Sequence, residues 1–93
     1  MLILTRVEGE AIRYGAKSER LTVKRVGSDF IDIEELGCQA YDTTVDLAPN
    51  VTVIFKRREY QGQMSGQVQC LFNAPRSVQI DREEIWLQKQ NRG

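Results

Sequence analysis

Alternation of apolar and polar residues runs through most of the chain, and a period of two predicts strands. RLTVKRV and DFIDIEE alternate on either side of Gly27-Ser28 and predict a hairpin. Val51-Thr52-Val53-Ile54-Phe55 and Gln67-Val68-Gln69-Cys70-Leu71-Phe72 predict a second, around the polar segment KRREYQGQMSG, which is long enough to form a mobile loop. The opening MLILTR is a short apolar run, and the Glu8-Gly9-Glu10 turn followed by AIRYG predicts a hairpin entered at the first residue. Between these pairs, Gly37 to Asn50 is the least patterned stretch. Its turn chemistry lies at Asp42-Thr43-Thr44 and Ala48-Pro49-Asn50, and a short helix or an irregular crossover both fit.

After Asn73-Ala74-Pro75, the short alternation Val78-Gln79-Ile80 leads into a helix start. Asp81 and Glu84 have the spacing of an N-cap and its capping-box partner, so a helix is expected from Arg82 to about Gln90. Arg82 then stands at the positive end of the helix dipole, which disfavours a cation by about 0.3–1 kcal/mol. Either Glu83 and Glu84 compensate while Arg82 is solvated, or an anion or base edge is bound there. A helix this short is marginal alone and needs tertiary support. The expected class is mostly β with one short C-terminal helix, a single domain over residues 1–93.

Composition narrows the function classes. A chain of 93 residues buries only about 60–65% of its surface as a monomer, a shortage that a second subunit would relieve. Thirteen basic and thirteen acidic residues cancel, so attraction to nucleic acid must be local. Histidine is absent, which removes the commonest general base and metal ligand. Cys38 and Cys70 are far apart with no CxxC and no signal peptide precedes them, so reduced thiols in the cytoplasm are expected, with no metal site and no cofactor. No apolar run approaches the ~20 residues that span a bilayer. Glu34-Glu35 and Glu83-Glu84 are adjacent carboxylates without a cleft to converge on, so no catalytic residue and no enzyme activity are expected. Phe55, Phe72 and Trp86 sit in apolar alternations and read as core. Lys24-Arg25 and Lys56-Arg57-Arg58 read first as solvated charge and second as phosphate contacts. Asn50-Val51-Thr52 has the form of a glycosylation acceptor, which carries no meaning in a cytoplasmic protein.

MLILTR, the Gly9-Glu10 step, VTV and above all NAPRSVQIDREEI together resemble the carbon storage regulator (CsrA/RsmA) family, over residues 1 to 15 and about 51 to 88. The resemblance implies an interleaved homodimer of antiparallel sheets, in which the first and fifth strands of one chain complete sheets of the other. It implies sequence-specific binding of GGA motifs in hairpin loops of messenger or small regulatory RNA, and so post-transcriptional, translational regulation. The implied reading edge is Leu4, Thr5 and Arg6 of one chain beside Arg76, Val78, Ile80 and Arg82 of its partner, with Arg82 in RNA contact. Such a site suits a neutral protein, because unpaired bases are read by backbone groups and apolar contacts with few phosphate contacts.

Two departures stand out. Where most relatives carry two arginines after LILT, this chain has Arg6 then Val7, which removes one charged contact and weakens the salt dependence of binding. The chain is also long. Aligning leftward from NAP makes 51–57 and 67–72 the third and fourth strands and leaves about 16–50 as an insertion carrying an extra hairpin. A competing register uses 21–26 and 29–35 as those strands. A second functional reading follows from both departures: a protein-interaction member of the family with weakened RNA binding, partnered by a protein antagonist or by a related subunit in a mixed dimer.

Overall fold

The computed structural model describes residues 1–60 and 63–91. Nine strands and one helix follow in the order β1 (Leu2–Val7), β2 (Ala11–Tyr14), β3 (Glu19–Val26), β4 (Phe30–Ile33), β5 (Gly37–Ala40), β6 (Thr44–Ala48), β7 (Val51–Tyr60), β8 (Gln63–Asn73), β9 (Ile80–Arg82) and α1 (Glu83–Gln90). The mostly β class with a short C-terminal helix is as expected. All pairings are antiparallel, in a four-stranded sheet β1-β8-β7-β6 and a five-stranded sheet β5-β4-β3-β2-β9.

The alternation explains which faces meet. Val51, Val53 and Phe55 of β7 and Val68, Cys70 and Phe72 of β8 turn inward at every second position. Leu21 and Val23 of β3, with Ile31 and Ile33 of β4, do the same from the other sheet, and these side chains form one shared core. Phe55 and Phe72 are core residues as expected, whereas Trp86 lies half-buried on the helix outside that cluster.

Both hairpins read from alternation are present, β3 with β4 and β7 with β8. At the first turn the Gly27 amide donates to the Phe30 carbonyl at 2.9 Å, and a Cβ on Gly27 would lie 2.7 Å from that oxygen, so no larger residue fits without a shift. The second hairpin is longer than expected. Its strands run through most of KRREYQGQMSG, with Tyr60 paired to Gln63, and the rest of the expected mobile loop, residues 61 and 62, lies outside the described residues.

Three expectations are corrected. First, β1 and β2 are consecutive but unpaired, because the chain crosses between sheets at residues 8–10. There Glu10 N donates to the Val7 carbonyl at 3.0 Å and Gly9 N to the Val23 carbonyl at 2.8 Å, fixing the crossing against β3. Second, Gly37 to Asn50 is neither helix nor irregular crossover but two short strands, β5 and β6. Asp42 and Asn50 bracket β6 in left-handed conformation (φ 61° and 64°), a geometry that short amide and carboxylate side chains tolerate. Third, residues 16–50 supply four strands rather than one added hairpin, and β3 pairs directly with β2. The two competing registers therefore each describe part of the molecule: β3 and β4 follow β2 in one sheet, while β7 and β8 lead into NAP in the other.

The implied exchange of terminal strands between chains is not confirmed. β1 lies on β8 of its own chain and β9 on β2 of its own chain.

Candidate nucleic-acid interface

Pairing with β8 places β1 at the edge of its sheet, with no strand on its other side among the described residues, although the Thr5 carbonyl accepts from Arg6 Nε and Val7 N donates to Glu10 Oε1. After β8, the chain turns at Asn73-Ala74-Pro75, where Val78 N donates to the Pro75 carbonyl at 3.0 Å, and runs alongside β1 before joining β2 as β9. The start of β1 and this returning segment enclose a cleft of about 300 Å³, lined by Met1 and Leu2 on one side and Pro75, Arg76, Val78 and Ile80 on the other. Of the two segments named from sequence, the cleft brings Leu2 together with Arg76, Val78 and Ile80, whereas Leu4, Thr5, Arg6 and Arg82 do not line it.

The individual side chains divide into two groups. Arg76 and Arg82 are exposed and their side chains make no hydrogen bond or close ion pair among the described residues, although the Arg82 charge helps to lower the Glu84 pKa. Val78 and Ile80 are half-buried, packed against the edge of the core, and Thr5 is also half-buried. Leu4 and Arg6 face inward instead. Leu4 is a core residue, because side chains of one strand alternate and Leu4 and Arg6 share the face that meets the second sheet.

Arg6 is only 4% exposed. Its Nη1 and Nη2 donate to Glu84 Oε1 and Oε2 at 2.8 and 3.0 Å, a two-pronged pair, while Nε donates to the Thr5 carbonyl at 2.9 Å and Glu10 lies 3.7 Å away. The hydrogen bond to Glu84 raises the Arg6 pKa against the opposing effect of burial. Glu84 is drawn down to about 2, chiefly by Arg6 and next by its own backbone amide. Arg6 is therefore engaged inside the protein rather than held out toward a ligand.

The helix start differs from the expected capping box. Arg82 itself occupies the N-cap position, with extended backbone (φ −58°, ψ 140°) and no side-chain cap. Asp81 points elsewhere, accepting from Gln79 Nε2 at 2.8 Å and from Lys89 Nζ at 3.2 Å. Nor do Glu83 and Glu84 pair with Arg82. Glu83 Oε1 accepts from Arg13 Nη2 at 3.0 Å and from Arg20 Nε at 2.9 Å, and these bonds, Arg20's first, hold its pKa below the usual carboxylate range. The Arg13 guanidinium also lies 4.3 Å from the Trp86 ring centre, and Trp86 Nε1 donates to Ser18 Oγ at 3.1 Å.

These ties explain how a helix without one buried residue stays in place. Three arginines, from β1, β2 and β3, grip two consecutive glutamates in its first turn. The sequence signal for this was present in the Glu83-Glu84 pair, but its partners lie more than sixty residues away. Some of these residues also line a larger cleft of about 580 Å³ between the β2–β3 turn and α1, where Arg13 stacks on Trp86 and Lys89 pairs with Asp81.

Other candidate cations are placed as follows. Lys24, Arg25, Lys56 and Arg58 are exposed, but Arg57 is half-buried and donates to the Ser28 carbonyl at 2.7 Å, a structural role. Cys38 is exposed and Cys70 buried, both free. No helix among the described residues is long and apolar enough to cross a membrane. No family model, no curated protein and no solved structure matches the chain.

Proposed function

We propose that the chain is a sequence-specific RNA-binding protein, a post-transcriptional regulator that recognises GGA motifs in hairpin loops through the open edge of β1 and the segment from Arg76 to Arg82. The observation that carries this reading is the cleft in which Leu2 of the edge strand β1 faces the exposed Arg76 across Val78 and Ile80, with the exposed Arg82 two residues further along the chain. Unpaired purines need those elements: backbone donors and acceptors for base edges, apolar surface under the rings, and planar guanidinium donors for bidentate contacts. Net neutrality is no obstacle, because unpaired bases are read mainly by backbone groups and apolar contacts, with few phosphate contacts. In this reading one chain forms one site, since both segments belong to the same polypeptide.

The test is a binding comparison between a hairpin RNA with GGA in its loop and the same hairpin with CCA. A preference for GGA of at least about tenfold, roughly 1.4 kcal/mol, is expected. Equal affinities would overturn the reading. A second reading, a protein-interaction member of the same family, is favoured by one observation: Arg6 is withdrawn into the pair with Glu84 while Leu2, Ile3 and Val7 leave β1 with an exposed apolar surface. Equal affinities for the two hairpins would favour it, with a protein antagonist or a related subunit as partner.

A further inference from the structure

What holds α1 differs in kind from what holds the sheets. The core that the two sheets share takes no residue from α1. Of the helix's own residues only Glu83 and Trp86 are half-buried, and its two aliphatic side chains, Ile85 and Leu87, are 38% and 48% exposed. Burial of apolar surface therefore contributes little to docking beyond Trp86. The remaining attachment is charged: Glu83 with Arg13 and Arg20, Glu84 with Arg6, and Lys89 with Asp81 of β9.

These ties are linked rather than independent. Arg13 donates to Glu83 from Nε and Nη2, lies over the Trp86 ring, and donates from Nη1 to the Ser18 carbonyl at 3.1 Å, while Ser18 Oγ accepts from Trp86. Loss of the Glu83 charge thus loosens Arg13, and with it the partner of the indole. Once undocked, an eight-residue helix has little stability of its own, so release and melting are one event. The side chains of Arg20, Lys89 and Glu84 are 42%, 48% and 53% exposed, so mobile ions screen their pairs.

We infer that α1 is an electrostatic latch: residues 83–91 leave the sheets and melt as one unit while both sheets stay folded, and rising ionic strength drives the opening. Opening frees Arg13 and Arg20 from Glu83 on β2 and β3. Arg82 stays paired with Ile12 of β2 but loses the helix that follows it. The latch is a sub-global opening of the kind that uses the weakest-held element of a fold, and here that element is held by screened charge. It does not depend on RNA binding at the β1 edge, so the two proposals stand or fall independently.

Native-state amide hydrogen exchange of the full chain reads the opening directly. After correction for unfolded rates, the helical amides from Leu87 to Asn91 are expected to exchange at least about 100-fold faster than those of the central strands β7 and β8, and with one common opening constant. Raising NaCl from about 0.1 to about 1 M shortens the screening length from about 10 to about 3 Å; the constant is expected to rise about fivefold, while β7 and β8 change by less than about twofold. Glu83→Gln is expected to raise it about tenfold at low salt, whereas Asp46→Asn, which removes an equal exposed charge on β6, leaves it unchanged. Helix protection equal to that of β7 and β8, an opening constant indifferent to salt, or constants that fall stepwise from Asn91 inward, as in an end that frays residue by residue, would each overturn the proposal. So would equal effects of the two substitutions. The salt series uses the unaltered chain and so decides the matter even if Glu83→Gln fails to fold.

Discussion

Replacing Glu84 by Gln removes the charge that faces Arg6 while keeping the side chain's shape. The Arg6 side chain is 5% exposed and that of Glu84 53%, so the pair is half shielded. A charge-assisted hydrogen-bonded contact contributes about 1.5–3 kcal/mol when sheltered and an exposed ion pair about 0–1 kcal/mol. The Thr5 carbonyl and Glu10 still support the stranded guanidinium. We therefore expect a loss of about 1–2 kcal/mol at pH 7, or roughly 5–15 °C in Tm for a domain of this size. The assay is thermal or urea unfolding followed by fluorescence of Trp86, the single tryptophan, which sits on the tethered helix. Glu84 titrates near 4.3 when unfolded and at about 2 when folded, so its contribution is complete above the unfolded value and fades as pH falls through the folded one. The gap between wild type and variant should thus be constant near neutrality and close as pH falls from 5 toward 2. Equal stabilities at pH 7, or a gap that does not narrow on acidification, would refute the assignment of Glu84 as the anchor of Arg6.

Arg82→Ala is expected to weaken GGA-hairpin binding by about 1–3 kcal/mol with little change in stability, whereas Lys56→Ala should lower GGA and CCA binding alike; an unchanged affinity in the Arg82 variant would remove it from the site. Under native conditions near pH 8 a thiol reagent should modify one cysteine, Cys38, while Cys70, buried and with its pKa pushed up to about 12, should react only on unfolding; two fast thiols would mean an open core. Since each terminal strand is seated in its own chain, the unfolding midpoint is expected not to vary with protein concentration. A midpoint that rises with concentration would instead support the interleaved dimer implied by the family resemblance.

Strands with a deeply buried face were legible because burial imposes alternation. Val51-Thr52-Val53 and Phe30-Ile31-Asp32-Ile33 announce both their conformation and their inward residues. β5 and β6 were not legible, because GCQA and TVDLA lie at sheet edges where burial is shallow and polar residues are tolerated on either face. The apparent β1–β2 hairpin failed for another reason. A tight turn fixes where a chain reverses, not which sheet the next strand joins, and the bonds from Gly9 and to Glu10 that decide it come from β3. At the site, the segments were identifiable, but the roles of Arg6 and Asp81 depended on long-range partners. The expected capping box was locally reasonable and lost to Lys89 and Arg6, which offer those carboxylates charged donors instead of neutral amides.

The pairing of β1 and β9 within their own chain has an evolutionary consequence. In an assembly of two identical chains every substitution appears at both symmetric places, so a change that benefits one place is tested at the other as well. Here β1 and β5 hold corresponding positions at the ends of the two sheets but are encoded separately. One is the apolar six-residue LILTRV and the other the four-residue GCQA. Selection can therefore preserve one edge while the other drifts, shortens or takes on an unrelated task, a freedom that identical subunits do not have.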